Sequence, residues 1–122
     1  GGMVKGCYSS LGVITPGAPL YVCEGWATAA TIHAETGAAV AAAMNASNLL
    51  AVGQRLQRQH PDAALIVAGD DDRQTEGNPG KTAAIVAAAG LGCGLILPPW
   101  PADAPLHLSD LDDLRQWREA HA

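Results

Sequence analysis

Ala63-Ala64-Leu65-Ile66-Val67-Ala68-Gly69-Asp70-Asp71-Asp72 is the stretch on which the fold turns. Six apolar residues run without a polar interruption and stop at a glycine, the length and composition of a strand buried on both faces. A second run of this kind, Leu20-Tyr21-Val22-Cys23, stops at Glu24-Gly25. Residues 38–43 and 94–97 supply two more short apolar runs. Between them lie segments of helical character. Residues 26–36 are strong helix formers closed by Gly37, a C-cap residue. Leu49, Leu50, Val52 and Leu56 recur at helical spacing behind a cap at Asn45 or Ser47, and the segment ends near His60-Pro61. Residues 81–89 are alanine-rich and stop at Gly90. Ser109 reads as the N-cap of a closing helix over residues 110–120, whose early aspartates suit the positive end of the helix dipole.

Strands alternating with helices in this way predict an α/β fold. About four parallel strands in the order 2-1-3-4 carry helices on both faces through right-handed crossovers. Residues 1–17, rich in Gly and Pro, read as an irregular lead-in with a hairpin through residues 11–15, or as the end of an upstream domain that this chain lacks. Residues 18–122 form the domain proper. In open parallel sheets, ligands sit beyond the carboxyl ends of the strands, where the winding reverses. With the order 2-1-3-4, that reversal falls between the strand ending at Glu24 and the strand ending at Asp70, so Glu24 and the aspartates are expected to converge.

Three consecutive aspartates at a strand end are costly, because neighbouring like charges raise one another's pKa. A hard divalent cation relieves that cost using one or two carboxylates plus water and substrate phosphates. If the strand continues, Asp70 and Asp72 share a side and Asp71 points away. Asp70 and Asp72 are therefore the expected metal ligands, with Asp71 secondary. Glu24 is a further ligand or the general acid/base. The competing reading is a solvated loop whose acids cap the next helix.

Several blocks of the chain resemble a known family. Glu24-Gly25 after one apolar strand and Asp70-x-Asp72 after another are similar to the Toprim domain of primases, topoisomerases and related nucleases. Val22 to Ala29, Met44-Asn45-Ala46-Ser47-Asn48-Leu49, Asn78-Pro79-Gly80-Lys81-Thr82-Ala83-Ala84 and Ser109-Asp110-Leu111-Asp112-Asp113-Leu114 narrow the resemblance to the Toprim module of plasmid- and phage-borne primases and primase-helicases, over residues 18–115. The resemblance implies a Rossmann-like Toprim fold and a nucleotidyl-transfer site with Mg²⁺ or Mn²⁺ on Asp70 and Asp72 and with Glu24 in a catalytic or metal role. It implies RNA primer synthesis on single-stranded DNA, with template and NTPs handled through the full-length protein and a helicase as a further partner. A Toprim-type nuclease and a catalytically idle docking module are the alternatives. Secondary candidates are Lys81 for a phosphate, Asn45 and Asn48 for backbone or nucleotide, and Asp110 and Asp113 near the site or as helix caps. Primases of this type carry a zinc module and a basic subdomain ahead of the Toprim core, and Lys5-Gly6-Cys7-Tyr8 resembles the end of such a region.

Other motifs exclude themselves. Gly80-Lys81-Thr82 lacks the earlier glycine of a P-loop, since residue 75 is Thr. An EF-hand fails at Gln74 and Thr75. A receiver-like phosphorylation domain wants a lysine after Leu95-Ile96-Leu97, and none follows. Cys7, Cys23 and Cys93, three widely spaced thiols, argue against a disulfide framework or a zinc site and for reduced, partly buried thiols. His33, His60, His107 and His121 form no ligand-spaced pair. Trp26 and Trp100 read as packing beside the sheet, with base stacking as the alternative. Composition bounds the rest. The 122 residues make one domain, and 48 % hydrophobic against 16 % charged residues excludes disorder. No apolar run approaches the roughly 18 residues of a membrane span, so a cytoplasmic location without membrane contact is expected. Twelve acids against seven bases exclude a basic clamp on nucleic acid. Seven of those acids lie in the resemblance motifs, and the other five stand against the seven bases of the whole chain.

Overall fold

A computed structural model describes residues 8–121. The chain runs β1 (Ser9–Leu11), β2 (Pro19–Cys23), α1 (Trp26–Thr36), β3 (Ala39–Ala42), a 3-10 turn (Ala46–Asn48), α2 (Leu49–Gln59), β4 (Ala64–Ala68), α3 (Pro79–Leu91), β5 (Gly94–Ile96) and α4 (Leu111–Ala120). The sheet order is β1-β3-β2-β4-β5. β2 pairs in parallel with β3 and with β4, and β4 with β5. The four expected strands therefore lie in the expected order.

A fifth strand corrects the reading of the lead-in as irregular. Ser9–Leu11 pairs antiparallel with β3, Ser9 opposite Ala42 and Leu11 opposite Val40, where a hairpin over residues 11–15 was expected. No apolar run announces β1, because it is a three-residue edge strand, exposed at both serines.

Side chains alternate across the sheet and divide the core in two. Leu20, Val22, Ala39, Ala41 and Val67 face α2 and α3, meeting Leu49, Val52, Leu56, Ala84, Ala87 and Leu91. Cys23, Val40, Ala42 and Ala68 face the other way, toward Ala29 and Ile32 of α1. Gly37 ends α1 in the left-handed conformation (φ 72°), as its C-cap position requires.

Three helix boundaries differ from expectation. Neither Asn45 nor Ser47 caps α2. A 3-10 turn intervenes, with the Ser47 hydroxyl donating to Asn45 Oδ1. α3 starts earlier and runs through Gly90 to Leu91, with Gly92 as the left-handed C-cap. Its start is set by Asn78, whose Oδ1 accepts from the Lys81 amide, and by Pro79 in the first turn. α4 is capped by Asp110, not Ser109.

Gly69 joins β4 to the acidic loop at the point where α3 crosses the strand end. A Cβ there would overlap Ala84 Cβ and lie 2.9 Å from Leu97 Cδ2. Gly69→Ala is therefore expected to lower the unfolding free energy by about 1–3 kcal/mol, measured by urea titration. An unchanged midpoint would show that α3 is not seated on the end of β4.

Candidate functional site

Parallel pairing carries β2 and β4 to the same end of the sheet, Cys23 level with Ala68. One residue beyond, Glu24 leaves β2. Beyond Gly69, Asp70 leaves β4. Their side chains are joined by a hydrogen bond, and both groups are half-buried. Burial first, then the charge of Glu24, then that of Asp110, pushes the Asp70 carboxyl up to about 7. Asp72 adds a smaller contribution in the same direction. The expected convergence at the strand ends is thus realised for Glu24 and Asp70, with Asp110 drawn in from the far end of the sequence.

The loop departs from a continuing strand, and with it goes the simple alternation of Asp70 and Asp72. Asp72 turns one oxygen to the start of α3, where Oδ2 accepts from the Gly80 amide at 2.7 Å, and its own amide donates to Asn78 Oδ1. Asp71 accepts from Asn78 Nδ2 at 2.6 Å and donates its amide to the Ser109 carbonyl. Asp72 thus caps the next helix with one oxygen, as the competing reading of the loop has it, while Asp70 faces Glu24. Gly80 is required by this approach, since a Cβ would stand 2.7 Å from Asp72 Oδ2 and 2.8 Å from Asp70 Cβ.

Asp110 is the N-cap of α4. Its Oδ1 accepts from the Asp113 amide at 2.7 Å, and Asp113 Oδ2 accepts from the amides of Ser109 and Asp110, forming a capping box. Burial raises the Asp110 carboxyl despite that amide. Asp110 is therefore a cap whose charge also reaches Asp70, and Asp113 is a cap. Asp112 lies outside the cluster, accepting from Thr31, Arg115 and Gln116.

Lys81 sits in the first turn of α3 and bonds Asn78 through its amide. Asn45 is exposed and engaged with Ser47. Asn48 is buried and donates Nδ2 to the Ala43 carbonyl, holding the turn after β3. That turn is tied to the site by the Met44 amide, which donates to the Glu24 carbonyl at 2.6 Å while Met44 adopts φ 73°.

Cys23 is fully buried behind the acids. Burial first, then Asp70, Asp110 and Glu24, pushes its thiol up to about 12, so it stays protonated. Cys23 and Cys93 are free thiols, and Cys7 lies outside the described residues. Trp26 contradicts the packing expectation, being 45 % exposed as the first residue of α1. Arg73, which no sequence motif singled out, places its guanidinium 4.7 Å over the Trp100 ring. A cavity of about 250 Å³ lined by Leu20, Leu56, His60 and Cys93 opens at the opposite, amino end of the strands. Ligands of parallel sheets gather at the carboxyl ends, so the acids mark the candidate site and that cavity does not.

Among the described residues, no group of three His, Cys, Asp or Glu side chains stands ready as a metal cage. The donor set is nevertheless of one chemical kind. Glu24, Asp70, the remaining oxygen of Asp72 and Asp110 are all hard oxygen donors, and Mg²⁺ takes only one or two of these with water. The residues present fit such an ion.

Residues 19–120 match the family model described as the Toprim domain. Among curated proteins the chain is similar to two Escherichia coli proteins, each named DNA primase TraC. One is 41 % identical over 101 residues, covering 77 % of this chain and 10 % of the relative. The other is 39 % identical over 101 residues, covering 77 % and 7 %. The chain thus spans a tenth or less of the length of these relatives. No solved structure matches. No helix among the described residues is long and apolar enough to cross a membrane.

The raised Asp70 carboxyl has a stability consequence of definite sign. Between its ordinary value of 3.8 and about 7, the folded chain holds a proton that the unfolded chain has lost. The contribution of Asp70 is fully present below 3.8 and is lost as pH rises through 7. In chelator-treated protein, the melting temperature of Asp70→Asn is expected to exceed that of wild type by a margin that grows from pH 4 to pH 8. A margin that stays flat across this range would contradict the carboxyl pairing.

Proposed function

The chain belongs to the Toprim domain family, and on that footing we propose that it is the metal-dependent nucleotidyl-transfer domain of a DNA primase, making RNA primers on single-stranded DNA. One observation carries the reading: Glu24 and Asp70 pair their carboxyl groups at the carboxyl ends of adjacent parallel strands, where the chain winding reverses. The similarity to DNA primase TraC supports the choice of primase over other Toprim chemistry.

Asp70 and the second oxygen of Asp72 are the proposed ligands, with Glu24 and Asp110 beside them. A bound Mg²⁺ or Mn²⁺ supplies charge neutralisation at the triphosphate and lowers the pKa of a coordinated oxygen. In the proposed reaction the primer 3′ oxygen bonds to the α-phosphorus of an incoming NTP and pyrophosphate leaves. Glu24, at the end of β2 beside Asp70, takes the proton of the attacking hydroxyl. Asp72, fixed by the Gly80 amide, holds the acidic loop against α3 so that Asp70 keeps its place. Lys81, in the first turn of α3, offers its ammonium to the phosphates. Asn48 holds the turn after β3 and thereby the Glu24 backbone.

Millimolar Mg²⁺ is expected to shift the amide resonances of Glu24, Gly69 and Asp72, and Asp70→Ala/Asp72→Ala to abolish the shifts. Unmoved resonances would refute the metal site. For activity, the chain exchanged for the matching segment of DNA primase TraC is given labelled NTPs and a single-stranded template. Primers are expected, and Glu24→Gln is expected to slow their synthesis about 100- to 10,000-fold. Template cleavage instead would assign a nuclease, and silence in both assays a docking module.

A further inference from the structure

By charge alone, Arg73 is the first residue to suspect of gripping a phosphate, because it follows the three aspartates directly. Its guanidinium is otherwise engaged. Nη2 donates to the Pro105 carbonyl at 2.8 Å and to the Leu108 carbonyl at 3.3 Å. The guanidinium lies 4.7 Å over the Trp100 ring. Nε is buried without an acceptor, a cost that only the placement of the rest of the group explains.

What Arg73 grips is a long connection. Residues 97–110, between β5 and α4, contain neither helix nor strand. A segment of this length without regular structure has little of its own to hold it. In its last turn before α4 the Ser109 carbonyl accepts from the Asp71 amide at 2.8 Å and from Trp100 Nε1 at 3.5 Å. Asp110 is the next residue, and its charge reaches Asp70. The acidic loop therefore holds the connection by its backbone at Asp71 and by its side chain at Arg73.

We infer that Arg73 and Trp100 form a clasp that seats Asp110 beside Asp70, making Arg73 a positioning residue of the acid cluster and not a phosphate-binding one. The clasp itself stands on the contacts above. Only its consequence for metal binding rests on the proposed function.

The test uses the full chain as wild type, Arg73→Ala, Arg73→Lys, Trp100→Leu, Asp110→Asn and the double variant Arg73→Ala/Asp110→Asn. Metal-free hydrogen exchange is read first. In Arg73→Ala and Trp100→Leu, exchange at the amides of Asp71 and Asp113 is expected to rise at least tenfold while Val22 and Val67 stay protected. Unchanged exchange at Asp71 and Asp113 would overturn the clasp. Mn²⁺ affinity, followed by water-proton relaxation, is read second. Arg73→Ala is expected to weaken it about 10- to 100-fold, the range for residues that orient ligands. Asp110→Asn is expected to do the same, and the double variant to lose no more than either alone. Additive losses would overturn positioning through Asp110. Arg73→Lys keeps the charge but not the planar fork, so it is expected to behave as Arg73→Ala. Wild-type affinity in Arg73→Lys would overturn the inference in favour of a simple charge effect. If wild type takes up no Mn²⁺ at all, the proposed function fails, and the exchange measurement still decides the clasp.

Discussion

Glu24 and Asp70 end neighbouring parallel strands, and a hydrogen bond joins their carboxyl groups in a half-buried setting. Two such groups cannot both ionise cheaply, and the surroundings reflect this. Asp70 keeps its proton to about pH 7. Asp72 turns one oxygen away to the Gly80 amide. Cys23, directly behind the pair, is held as a neutral thiol. Asp110 adds a further acid where stability alone would place none. An arrangement that concentrates one sign of charge, with hard oxygen donors throughout, is suited to a ligand that brings the opposite charge.

Small side chains make the arrangement possible. The chain has no Phe, and the buried positions at the site include Gly69, Gly80, Ala42, Ala43, Ala68 and Ala84. α3 can then approach the end of β4 so closely that neither Gly69 nor Gly80 tolerates a Cβ. That approach brings the first turn of α3, with Lys81, to the acidic loop. An alanine-poor core of the same fold would push α3 outward and leave Asp72 without its amide partner.

The parallel sheet and its order were legible because buried strands on this scale read as uninterrupted apolar runs, and residues 20–23 and 63–68 do so plainly. The meeting of Glu24 with Asp70 followed from that order alone. β1 was not legible, since a three-residue edge strand of Ser9, Ser10 and Leu11 carries no apolar pattern. The course of the loop after Gly69 was not legible, because nothing in three aspartates announces that Asn78 will bond both Asp71 and the Asp72 amide. Asp110 was ambiguous between cap and site for a physical reason: it caps α4 while its charge reaches Asp70. Arg73 and Trp100 are 27 positions apart in a polar loop and a proline-rich connection, and no periodicity links them.

In the proposed function the acid cluster leaves the balance of its charge to a cation. Uptake of the cation must then expel the proton that Glu24 and Asp70 share. Calorimetric titration with Mg²⁺ or Mn²⁺ in buffers of different ionisation enthalpy measures this directly. At pH 6 the account predicts release of about one proton per cation bound, falling toward none at pH 8. Cation binding with no proton release at pH 6, or no binding at either pH, would contradict it.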